Sequence, residues 1–174
     1  LEFRRVLFRS GVYIGNVNVG GMTQAQAQSA VEEYVAGLMD TTFTLKGESG
    51  SVSMTAQDMG VTADVNAAVT EAVAVGRAGS LINRYKTTQD LKKNSLVLDM
   101  HLSVDKQTTA QKLYKDSDKL SVAAVDNGLV RENGAFQFVR GKEGVEVNIV
   151  DSVYAINDFL ADEWNGTNNE IELV

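Results

Sequence analysis

Residues 95–104 read SLVLDMHLSV. Leu96, Leu98, Met100, Leu102 and Val104 alternate strictly with Ser95, Val97, Asp99, His101 and Ser103. A period of two with one apolar set predicts a single strand with one face on a core. Asp105 follows as the cap of a helix that carries Ala110, Leu113 and Tyr114.

The same alternation of short strands and amphipathic helices extends in both directions. Upstream, TTFTLKGESGSVSMTA (41–56) predicts a hairpin, with Phe43 and Leu45 facing Val52 and Met54 across a glycine-bounded turn. Before it, Val12, Ile14, Val17 and Val19 form a β-like run that Gly20-Gly21 breaks. Thr23 then caps a helix with Gln26 at capping-box spacing, and Ala27, Val31, Tyr34 and Leu38 make its apolar stripe. A further helix starts at Asp64 and stops at Gly76 or Gly79. Downstream, Asn133-Gly134 marks a second hairpin. Ile149, Val153, Ile156 and Leu160 mark a last helix, and EIELV (170–174) a closing strand.

MGVTADVNAAV (59–69) and EGVEVNIVDSV (143–153) repeat one pattern, with Gly60 against Gly144 and Asp64 against Asn148 as caps. Without a βαβαβ rhythm, the expected class is α+β: two related small units of antiparallel hairpins and amphipathic helices. The units span 11–80 and 95–174, joined by a helical connector at 81–94 capped by Ser80.

Composition narrows function. The 174 residues include 44% hydrophobic and 22% charged residues, the balance of a globular domain. No apolar run is long enough to span a bilayer. The net charge is −7, and becomes −9 when residues 1–10, with three arginines and one glutamate, are set aside. That acidity argues against nucleic-acid partners. Zero cysteines exclude disulfides, thiolate metal sites and cysteine nucleophiles within this sequence.

Recognisable catalytic patterns do not assemble. Gly15 and Gly20 have the outer spacing of a phosphate loop, but Gly21 and Met22 stand where Lys and Ser or Thr are needed. His101 is the single histidine; a triad would draw on Ser103 or Ser95, two residues that strand geometry alone does not activate. Asp116 and Asp118 lack the glycine and spacing of a calcium loop. No catalytic residue, metal site or cofactor is expected. Asn165-Gly166-Thr167 has the form of an N-glycosylation acceptor.

Three residues are candidates for binding a ligand. Arg84 and Tyr85 sit together on the connector and suit an anionic or carbohydrate ligand if they face solvent. If Tyr85 and Ile82 pack inward, the segment is only a connector. Trp164 closes the last helix, as an edge-of-core anchor or a sugar platform.

GVYIGNVNVGGMTQAQAQSAVEEYV (11–35) and VTEAVAVGRAGSLINRYKTTQDL (69–91) resemble the N-terminal region of VanW-family proteins of Gram-positive bacteria. LSVDKQTTAQKLYK (102–115) and AFQFVRGKEGVEVNIVDSVYAINDFL (135–160) are similar to the peptidoglycan-binding domain found there and before L,D-transpeptidase catalytic domains. The resemblance covers residues 11–174. It implies a non-catalytic extracytoplasmic module with peptidoglycan as partner, tied to the membrane only through an N-terminal anchor upstream, and followed by a VanW or catalytic domain. The other reading it allows is the front part of a peptidoglycan-modifying L,D-transpeptidase. LEFRRVLFRS (1–10) lies outside the resemblance and reads as the translation of a common sequencing-adapter oligonucleotide. It is therefore expected to be non-native, poorly packed and functionally silent.

Overall fold

The computed structural model describes residues 7–77 and 80–174. In chain order its elements are β1 (Val12–Ile14), β2 (Val17–Asn18), α1 (Gln24–Leu38), β3 (Thr42–Lys46), β4 (Ser51–Thr55), β5 (Thr62–Ala63) and α2 (Val65–Ala74). There follow α3 (Leu81–Lys93), β6 (Leu96–Leu98), β7 (Leu102–Ser103), α4 (Lys106–Lys115) and α5 (Ser117–Leu120). The chain ends with β8 (Gly128–Glu132), β9 (Ala135–Val139), α6 (Ile149–Asp158), a π-helical turn (Phe159–Glu163) and β10 (Glu170–Glu172). The fold is α+β, with small sheets between helices. No described helix is long and apolar enough to cross a membrane.

Helix starts follow the local chemistry of the sequence. Thr23 and Gln26 form a reciprocal capping box on α1. The side chains of Asp64, Ser80, Asp105 and Asn148 each accept from the backbone N–H three residues on, opening α2, α3, α4 and α6. The two copies of the internal repeat therefore both read as extended segment, Asx cap and amphipathic helix. After α2 the backbone turns at Gly76, with φ 67°; Gly79, the other expected stop, lies outside the described residues.

Strand pairing crosses the connector. One sheet has the order β2-β1-β6, with β1 parallel to β6; another has β10-β3-β4, with β10 parallel to β3; and β5 pairs antiparallel with β7. Each of these sheets takes strands from both sides of α3. Their inner faces share an apolar cluster that includes Val12, Ile14, Val31, Phe43, Leu45, Met59, Ile156 and Ile171. Burying this surface is the main force holding the body together.

The expected single strand at 95–104 is two strands. His101 adopts φ 53°, and Asp99 Oδ1 accepts from its N–H at 3.0 Å. That left-handed step ends β6 and sends β7 to a different sheet. Met100, Leu102 and Val104 keep the predicted burial, but Leu96 is exposed because β6 is an edge strand.

α4 is fastened to the β4–β5 connection. Thr109, fully buried, donates its hydroxyl to Met59 O at 3.0 Å and to Asp105 O at 2.8 Å. Lys112 donates to the carboxylate of Asp58. Lys112 first, then the Thr55 N–H, holds the Asp58 carboxyl below its ordinary range.

Residues 7–10 correct the expectation of a poorly packed opening; residues 1–6 lie outside the described residues. Phe8 is 4% exposed and joins the core, Phe8 N–H donates to Met22 O at 2.8 Å, and Arg77 donates to Leu7 O at 2.7 Å. The physical reason is simple: an aromatic side chain next to an apolar gap is buried whatever its origin.

Phe8→Ala is expected to lower unfolding stability by about 3 kcal/mol, measured by urea unfolding of the full chain. A loss below about 0.5 kcal/mol, the range of surface substitutions, would show that the slot is not used. The Asp58–Lys112 pair predicts a pH effect of defined sign. A lowered carboxyl value in the folded state adds stability above the unfolded value near about 4, and loses it as pH falls further. The stability difference between wild type and Lys112→Met should thus be constant above about pH 4 and shrink below it, read from unfolding curves across pH.

Candidate functional site

The β1–β2 turn, α1, the broken strand and the π-helical turn surround a cleft of about 440 Å³. The parallel pairing of β1 with β6 builds its floor: Gly15 N–H donates to Leu98 O at 2.8 Å, so Asn16 emerges beside Asp99. Tyr34, on the apolar face of α1, packs half-buried against the core and also lines the cleft. Leu160 to Glu163 supply the opposite wall; the extra residue per turn of a π-helix widens such a turn, a feature often found at functional sites.

Asn16 ties the walls together. Its Nδ2 donates to Tyr34 Oη at 3.0 Å and to Asn165 O at 3.1 Å. Asn165 Oδ1 in turn accepts from Thr167 N at 3.0 Å and Thr167 Oγ1 at 2.6 Å, fixing the loop after Trp164. Gly166 has φ 86°, and a Cβ there would collide with Asn16 Nδ2. The positive φ favours glycine, and any added Cβ has to displace the Asn16 amide.

Trp164 is half-buried. Its ring meets Phe43 at 5.5 Å between centroids and 59° between planes, and its Nε1 donates to Asn169 Oδ1 at 3.1 Å. It is thus an edge-of-core anchor that also lines the cleft. Asp99, Asp162 and Glu163 are the charged groups of the lining, and no Lys or Arg accompanies them. The cleft therefore offers hydrogen-bond donors and acceptors beside two aromatic rings in a negative field. That suits a neutral or amine-bearing ligand rich in hydroxyl and amide groups, and disfavours an anion.

The three sequence-derived candidates do not meet. Arg84 and Tyr85 lie on α3, which contributes nothing to the cleft lining. Tyr85 and Ile82 both face solvent, and among the described residues Arg84 forms no ion pair. His101 does not pair with Ser103. Its Nε2 lies 3.2 Å from Glu71 and its Nδ1 3.4 Å from Asp99, while Ser103 Oγ is 3.2 Å from Thr62 Oγ1. Among the described residues no group of three acidic, histidine or cysteine side chains could hold a metal ion. Asn16, Tyr34, Asp99 and Asp162 were missed because they are ordinary turn, helix and loop residues in sequence. The two glycines that let the cleft close, Gly15 and Gly166, were the available hint.

These features define a small α+β domain with a polar, aromatic-lined groove. The family model described as "Putative peptidoglycan binding domain" matches residues 52–168, more than half of the chain, and the chain belongs to that family. No curated protein and no solved structure matches it. The matched span includes the cleft wall from Val97 to Gly166, while Asn16 and Tyr34 come from the segment before it.

Gly166→Ala should expel Asn16 from between Tyr34 and Asn165. The expected result is shifted amide resonances for residues 16, 34 and 165 and a melting temperature lower by several degrees, as for about 1–2 kcal/mol of local strain. An unperturbed Asn16 side-chain resonance would refute the packing described.

Proposed function

We propose that the chain is a non-catalytic, extracytoplasmic peptidoglycan-binding module of a bacterial cell-envelope protein, with the cleft around Asn16, Tyr34 and Trp164 as its ligand site. The family match over 52–168 carries this reading. The chemistry of the cleft agrees with it. Peptidoglycan offers N-acetylated pyranose rings that stack on aromatic faces, and stem peptides that present amides and amines to carboxylates such as Asp99 and Asp162. Arg84 and Tyr85 form a separate exposed patch suited to the lactyl or stem-peptide carboxylates. On this reading the module holds its parent protein at the wall, with the membrane reached through an anchor upstream.

Within that reading, a VanW-type context is favoured by the Gly20-Gly21-Met22-Thr23 segment and the helix it opens. An adjoining domain with a Cys/His catalytic motif in the parent gene would support the L,D-transpeptidase context instead.

Retention on purified peptidoglycan tests the proposal. The full chain should be retained well above an unrelated acidic domain, and Asn16→Ala with Asp162→Ala should weaken retention about tenfold, the loss of one or two polar contacts. Arg84→Ala with Tyr85→Ala should weaken it less. No retention above the acidic control overturns the function, and unchanged retention in a folded cleft variant overturns the site.

A further inference from the structure

Residues 121–146 leave the body as a two-stranded arm that keeps one register from base to tip. Val122 pairs with Val145, Val125 with Lys142, Gly128 with Val139 and Glu132 with Ala135. The strands cross so closely at the base that a Cβ on Gly144 would stand 2.7 Å from Ala124 N, and one on Gly141 would collide with Val125 O. Asn133 and Gly134, with φ 53° and 84°, close the tip.

One face of this arm is apolar and uncovered. Leu129 sits opposite Phe138, and Arg131 opposite Phe136. Leu129, Phe136 and Phe138 are 70%, 71% and 64% exposed. A lone two-stranded ribbon is marginal in water, and clustered exposed aromatics with an arginine have the composition of an interface centre. Over its whole length the arm carries Arg131, Arg140 and Lys142 against Asp126, Glu132, Glu143 and Glu146. By the shared register the three cations take strand positions on the face of Leu129, Phe136 and Phe138, whereas Glu132 falls on the other face.

The complement lies on the body of the same chain. β10 is the edge strand of its sheet. Beside it, between β10 and the turn after α6, runs a groove lined by Asp158, Phe159, Glu163, Glu170 and Glu172, together with Lys46. The one cation of this lining, Lys46, is engaged by Glu170 at 2.6 Å. The groove thus offers the outer edge of β10 at Glu172, the Glu170 N–H being taken by Asn168 Oδ1, together with an apolar ring and carboxylates in excess. We propose that the arm of one copy docks as an added strand against the β10 edge of a second copy. Its Phe136–Phe138 face covers Phe159, and Arg131, Arg140 and Lys142 answer Asp158, Glu163 and Glu172. Strand-edge pairing supplies the backbone hydrogen bonds and the charge contrast selects the partner.

Sedimentation equilibrium of the full chain over a concentration series tests this, independently of any peptidoglycan binding. Reversible self-association that weakens with added salt is expected. Phe136→Ser with Phe138→Ser, both outside the core, should weaken it on the order of thirtyfold with unchanged circular dichroism. Arg131→Glu with Arg140→Glu removes the arm, and Glu170→Lys with Glu172→Lys removes the groove. Each of these variants alone should be monomeric, and their mixture should form one-to-one dimers. A wild-type chain that stays monomeric overturns the proposal. So does association indifferent to the phenylalanine substitutions, or a mixture that does not associate.

Discussion

The parallel pairing of β1 with β6 is the constraint on which the rest of the structure depends. It joins Val12–Ile14 to Leu96–Leu98, 84 residues further on (96−12), so everything between them is its crossover. Leu96 N–H donates to Gly11 O and Gly15 N–H to Leu98 O, each at 2.8 Å, closing both ends of the pair. With Ile14 and Val12 fully buried, the pair cannot slip by one residue without turning both into solvent. The register therefore determines where Asn16 and Asp99 stand, and with them two walls of the cleft.

A second parallel pairing, β10 with β3, does the same for the other side. It returns the chain to Phe43 and Leu45 after the π-helical turn, and Phe43 receives Trp164. A cleft whose walls come from the β1–β2 turn, α1, the broken strand and the last loop is only as rigid as these pairings. That arrangement is economical for a binding module, because the polar lining hangs from a core that burial already holds. The cleft thus combines a negative lining with the rings of Tyr34 and Trp164, and the exposed arm gives the molecule a second, apolar surface.

Local features were legible and non-local ones were not. Thr23 with Gln26, Asp64, Ser80, Asp105 and Asn148 open helices in the structure as their side chains predict, since a cap needs only its own next three residues. The β3–β4 hairpin and the Asn133-Gly134 turn are local for the same reason. The reading of 95–104 as one strand failed at His101. Alternation there reports which side chains are buried, and it is silent about a backbone step that keeps the burial while changing the partner sheet. Residues 7–10 differ in another way: their reading as translated adapter sequence predicted poor packing, yet Phe8 fills a space that only the folded body possesses. Of the binding candidates, Trp164 stands in the cleft, whereas Arg84 and Tyr85 stand apart on α3, because adjacency in a pocket depends on strands far away in sequence.

By itself the sequence determined the α+β class, the helix caps, the hairpin turns, the acidic surface and the absence of thiol chemistry. Each of these follows from neighbours within a few residues or from composition summed over the chain. Only the tertiary structure decided that every core sheet joins strands from both sides of α3, that one apparent strand serves two sheets, and that Asn16 reaches Tyr34 and Asn165. Those outcomes depend on which apolar faces find each other. Burial free energy is non-directional, so a sequence states how much surface must be hidden, while the packing of the whole chain decides against what.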